Sequence, residues 1–161
     1  MTVLDHPLVD SEHPYKAANN ETGQKVVELC REYSDKIALE WNGYCIDWIW
    51  NMFLGGDINK RTEKLAEMHD IPLVADTDLH GWNKSLMKDI GKSRIIIDSK
   101  DLDFNLNYLV PSIETAIKGR KYKNVKNYVS FIHFTKSFGI PIVRSKIQSA
   151  LYPHVRGKMQ W

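Results

Sequence analysis

A chain of 161 residues is long enough to bury a sizeable core within one domain. Hydrophobic residues make up 43% and charged residues 26%, with a formal net charge of +2, an ordinary globular balance that argues against a disordered chain. No run approaches the ~18 consecutive apolar residues of a membrane span, and the first residues lack the basic start and apolar run of a secretory signal. A cytoplasmic protein without membrane association is therefore expected. The net charge conceals a split: residues 1–114 hold 12 Lys and Arg against 20 Asp and Glu, whereas residues 115–161 hold 10 against none.

Residues 1–20 carry His6-Pro7 and His13-Pro14 without periodicity. Proline restricts its own φ and the residue before it, which predicts an extended arm. Asn20 or Thr22 can cap a helix running to about Tyr33, with Val26, Leu29, Cys30 and Tyr33 on one side. A second helix is expected over 36–54, where Ile37, Trp41, Cys45, Trp48 and Met52 follow helical spacing and Leu39, Ile46 and Trp50 add a second apolar face. A helix apolar nearly all round is a core helix, and Gly55-Gly56 would end it. A third helix, 57–69, turns Ile58, Leu65 and Met68 inward.

Ile71-Pro72-Leu73-Val74 is extended, Asp78 caps a short helix stopping at Gly91, and Arg94–Asp98 is the best strand, being β-branched. Ser99 caps the next segment, and Pro111 suits the first turn of another helix. Two basic helices, about 124–138 and 142–151, meet at Phe138-Gly139-Ile140-Pro141. The sum is a single, mainly α domain, with α+β as the alternative. It has an extended arm over 1–20, a short β element near 93–98 and a basic helical hairpin over 115–161.

The cysteines, Cys30 and Cys45, have no metal-type spacing and suit a reducing compartment. Asp76-Thr77-Asp78-Leu79-His80 follows an apolar stretch and resembles the strand-then-DxD opening of haloacid-dehalogenase-type phosphatases. That resemblance implies a nucleophilic aspartate and a magnesium site, which needs further carboxylates later in the chain. None follows Glu114, and Asp98, Asp101 and Asp103 come too soon, so a polar loop capped by Asp78 is the expectation. An ion at Asp76, Asp78 and His80 stays open. His133-Phe134-Thr135 is similar to one half of the paired motif of two-histidine phosphoesterases, but a second half is missing. Phosphate loops, nucleophile elbows and zinc motifs are absent from the sequence. No enzyme, metal or cofactor is expected.

The charge points to binding instead. Lys118, Arg120, Lys121, Lys123, Lys126, Arg144, Lys146, Arg156 and Lys158 favour polyanions, acidic protein surfaces or the acidic half of this same chain. Aromatic residues interleave with them, and Trp161 is a candidate partner anchor. Residues 128–151 are partly similar to a helix-turn-helix, with Arg144, Lys146 and Gln148 on its second helix. In texture, compact and rich in Lys, Asn, Ile and Trp, the chain resembles the small early host-takeover proteins of T-even bacteriophages. In size it is similar to those that inhibit the host's ATP-dependent Lon protease. The resemblance implies a non-enzymatic protein that binds and blocks a host enzyme, with DNA regulation as the alternative. The opposed charges would also suit pairing of two copies.

Overall fold

The computed structural model describes residues 1–9, 20–54, 56–77, 86–136 and 140. The order is β1 (Thr2–Leu4), α1 (Asn20–Glu32), β2 (Ile37–Asn42), α2 (Asp47–Ile49) running into a wider turn at Trp50–Leu54, α3 (Ile58–Met68) and β3 (Leu73–Asp76). A short 3-10 turn at Leu86–Asp89, β4 (Arg94–Ile97), α4 (Leu109–Lys118), β5 (Tyr122–Val125) and α5 (Phe131–Phe134) follow. The fold is thus α+β rather than mainly α. Strands β1, β2 and β3 form a parallel sheet in that order, and β4 pairs antiparallel with β5.

The largest correction concerns 36–54. Its first third is the central strand, not a core helix, and all six residues of β2 are buried. A parallel strand covered on both faces is apolar on both sides, so its periodicity resembles that of a buried helix. Ile37 and Leu39 enter the cluster containing Val26, Cys30, Ile58, Leu65 and Ile71. Ala38 joins Val74 and Ile117 in another, against which Ile95, Ile113 and Tyr122 pack. These memberships place α1 and α3 on one face of the sheet, and α4 with the β4–β5 pair on the other.

Gly43 ends β2 where backbones crowd together. Its N–H donates to the Asp76 carbonyl (2.8 Å) and its carbonyl accepts from Val129 N–H (3.0 Å). An added Cβ would stand 3.2 Å from the Asn127 carbonyl oxygen and 3.3 Å from that of Asp76. The outer edge of β3 is closed by a side chain rather than a strand. The Asn124 amide accepts from Ala75 N–H (2.9 Å) and donates to the Leu73 carbonyl (2.7 Å), which protects an otherwise unpaired edge.

Several other expectations shift. Helices α1 and α3 fall where their patterns placed them, but Leu29, Tyr33 and Met68 are exposed because each lies at the margin of its apolar stripe. The first basic helix is shortened to α5, since residues 122–125 pair with β4. Of the arm expected over 1–20, Thr2–Leu4 join the sheet as β1, while residues 10–19, the second basic helix and the cap at Asp78 lie outside the described residues. Asp98 rather than Ser99 caps its turn, accepting from Lys100 N–H. Both cysteines are buried, and neither forms a disulfide. Among the described residues no helix is long and apolar enough to cross a membrane.

Candidate functional site

Parallel strands deliver their carboxyl ends to one edge of a sheet, where open α/β folds bind ligands. Here β1 delivers His6, two residues past its end; β2 delivers Glu40 and Asn42; and β3 delivers Asp76, opposite Asn42 in the register. His6 lies in the left-handed region at φ 45°, a costly conformation for a non-glycine residue. Its backbone N–H donates to Glu40 Oε2 (2.8 Å), and ring Nδ1 lies 2.5 Å from the same oxygen. Glu40 is only 4% exposed, while the His6 side chain is 33% exposed. With its proton on Nδ1 the ring donates to the Glu40 carboxylate, which can only accept.

Behind this pair lies a buried polar network. Asn42 Nδ2 sits 2.9 Å from His6 Nδ1 and 3.3 Å from Glu40 Oε1, while its Oδ1 accepts from the N–H of Tyr44 (2.7 Å) and Cys45 (3.2 Å). Asn59, fully buried, accepts from Asn42 N–H (2.9 Å) and donates to the carbonyls of Asn42 (2.8 Å) and Cys45 (2.9 Å). Asp47 Oδ1 takes the Asn59 N–H (2.9 Å), and its Oδ2 takes the Tyr128 hydroxyl (2.7 Å). Burial, reinforced by the Asp47 carboxylate, pushes the Tyr128 phenol far above its ordinary range. Such a network fixes side-chain positions because each lost bond would strand a buried polar group.

A second cluster engages His133. Its Nδ1 contacts the carboxylate of Asp89, which is fully buried and also contacts Lys92 Nζ. Thr135 of the same motif spends its hydroxyl on the Phe131 carbonyl (2.8 Å). His133 is therefore a tie between α5 and the 86–89 turn.

Three cations of the basic run pair with the acidic half of their own chain. Arg120 donates to the carbonyl (2.6 Å) and Oδ1 (3.0 Å) of Asp70. Lys121 pairs with Asp101 (3.3 Å) and Lys126 with Glu63 (2.8 Å). Lys118 and Lys123 make no ion pair among the described residues. Arg144, Lys146, Arg156, Lys158 and Trp161 lie outside those residues, as do Asp78 and His80. Among the described residues no group of three His, Cys, Asp or Glu side chains stands ready to hold a metal.

Trp41 and Trp50 are buried as expected, but Trp48 is 55% exposed and stacks on Phe131 (centroids 5.9 Å apart), itself 58% exposed. The sequence reading missed His6, Glu40, Asn42, Asn59 and Asp47 as a group. The available signals were His6-Pro7 after a short apolar run, and Glu40 and Asn42 inside an apolar stretch that closes on Gly43. Compared with protein-family models, curated proteins and solved structures, the chain matches none.

Proposed function

We propose that the carboxyl edge of the parallel sheet is the active site of a hydrolytic enzyme acting on phosphoesters with a divalent cation. The observation that carries this is His6, strained at φ 45° and held through N–H and Nδ1 by the buried Glu40. A carboxylate that fixes a histidine tautomer prepares Nε2 to accept a proton or ligate a metal. The string Asp76-Thr77-Asp78-Leu79-His80 begins at the end of β3, the strand beside β2. Two carboxylates and an imidazole are suitable ligands for a cation that polarises a phosphoryl oxygen. In this reading His6 takes the proton of the attacking water, Glu40 holds its ring, and Asn42 holds Glu40.

The test is hydrolysis of p-nitrophenyl phosphate and bis-p-nitrophenyl phosphate with Mg²⁺, Mn²⁺ or Zn²⁺. Cation-dependent turnover that falls in Asp78→Asn and His80→Ala supports the proposal; absence of turnover with every cation removes it.

A second reading, a phage-type protein that blocks a host enzyme such as the ATP-dependent Lon protease, draws support from the exposed Trp48–Phe131 stack. Exposed aromatic pairs are common anchors of protein interfaces, and Met52 and Ile132 are also exposed on the same two chain segments. Peptidase and ATPase assays of such a protease with added protein test it: unchanged rates at excess protein would count against this reading. The DNA alternative has less support, because Arg120, Lys121 and Lys126 already have internal partners.

A further inference from the structure

Three cations without partners among the described residues lie on the outer surfaces of α1 and α3. Arg31, Arg61 and Lys64 are exposed and make no ion pair or hydrogen bond among the described residues. They line one open groove of about 640 Å³, whose apolar lining includes Val27, Leu65 and Met68. The spacing explains the groove. Positions 24, 27, 28 and 31 share one face of α1, and 61, 64, 65 and 68 share one face of α3. Glu28 is the only carboxylate among the described residues that line it. His69, at the same groove, keeps a buried Nε2 that has no hydrogen-bond partner in the described structure. By contrast, the smaller cavity of about 320 Å³ beside Arg120 and Lys126 also holds their partners Asp70 and Glu63.

We infer that this groove docks an acidic peptide segment carrying an apolar anchor, from another protein. Charge complementarity selects an anion: among the described residues three unpaired cations face one acid, and an acidic segment would neutralise them. The apolar lining selects a ligand that also offers a hydrophobic side chain, as helix-lined grooves do for peptides. Single-stranded nucleic acid fits less well because no Phe, Tyr or Trp among the described residues lines the groove, and sequence-tolerant strand binding relies on base stacking. Long-range attraction would make the association salt-sensitive.

The test is fluorescence anisotropy of the full chain with the labelled peptide Glu-Glu-Leu-Glu-Glu-Phe-Glu-Glu at low salt. Saturable binding is expected, weakened about tenfold or more in the triple variant Arg31→Glu, Arg61→Glu, Lys64→Glu. It should change less than about twofold in the control Lys118→Glu, Lys123→Glu, at positions remote from the groove. Replacing Leu and Phe of the peptide by Ser should also weaken it. If the triple variant fails to fold by circular dichroism, Arg61→Gln with Lys64→Gln serves, with a loss of about threefold. No binding at low salt, equal binding by the triple variant, or tighter binding of a single-stranded oligonucleotide in that groove would overturn the inference.

Discussion

One carboxylate oxygen of Glu40 faces both the backbone N–H and the ring Nδ1 of His6, so strand β2 holds the conformation of a residue just past the end of β1. The contact spans 34 positions in sequence and explains how His6 is kept in a left-handed backbone. The favourable charge-assisted bonds offset a local cost of about 1–3 kcal/mol. Glu40→Gln keeps the shape but weakens both bonds. The expected result is destabilisation of about 1–3 kcal/mol in urea unfolding, together with a shift in the pH profile of any activity that depends on His6.

Tyr128 reports on the far end of the same network. Tyr128→Phe leaves Asp47 Oδ2 without its hydroxyl donor, and a loss of about 1–3 kcal/mol is expected in chemical unfolding. The native phenol titrates above the unfolded value of about 10, so the folded state holds its proton longer. Stability from this group is fully present below about pH 10 and falls as pH rises further. Unfolding free energies followed upward from pH 9 should decline less steeply in Tyr128→Phe than in the parent.

Gly43→Ala tests the crossing at the end of β2. The new methyl would press on two backbone carbonyls, at 3.2 and 3.3 Å, and neither can swing aside as a side chain could. Destabilisation of about 1–3 kcal/mol in urea unfolding is expected. A neutral substitution would mean that the crossing is looser than the contacts indicate.

This glycine also shows why the sequence misleads. Residues 36–54 suit a core helix only if Gly43 is tolerated mid-helix, at a cost of about 1 kcal/mol relative to Ala. That residue was the sign that the run changes from strand to turn. The strand at 94–97 was legible because β-branched residues dominate it, and α1 and α3 because their apolar stripes are clean. The carboxyl-edge site was not legible: His6, Glu40, Asn42 and Asp76 become neighbours only through strand order, which a local pattern does not contain. The charge split was visible at once, but the pairing of Arg120, Lys121 and Lys126 with Asp70, Asp101 and Glu63 depends on contacts across 20 to 63 positions.

Cys30 offers a test of the core. It is fully buried, and burial pushes its thiol up to about 11, which suppresses the reactive thiolate at neutral pH. Iodoacetamide should leave Cys30 unmodified in the native protein and alkylate it after denaturation, as read by mass spectrometry of peptides. Rapid native alkylation would show that α1 leaves the sheet on the labelling timescale.

The exposed Trp48 separates the two functional readings. Trp48→Ala should leave the unfolding midpoint nearly unchanged, since the side chain lies mostly in solvent. It should also leave phosphoester turnover within about twofold. A partner captured through the stack would be lost in the same variant.

The most direct test of the central proposal is phosphoester hydrolysis by His6→Ala beside the parent chain, with Mn²⁺ present and the fold verified by circular dichroism. The account predicts cation-dependent turnover in the parent and a loss of at least about 100-fold in the variant. Equal turnover in the two proteins, or none in the parent with any divalent cation, would contradict it.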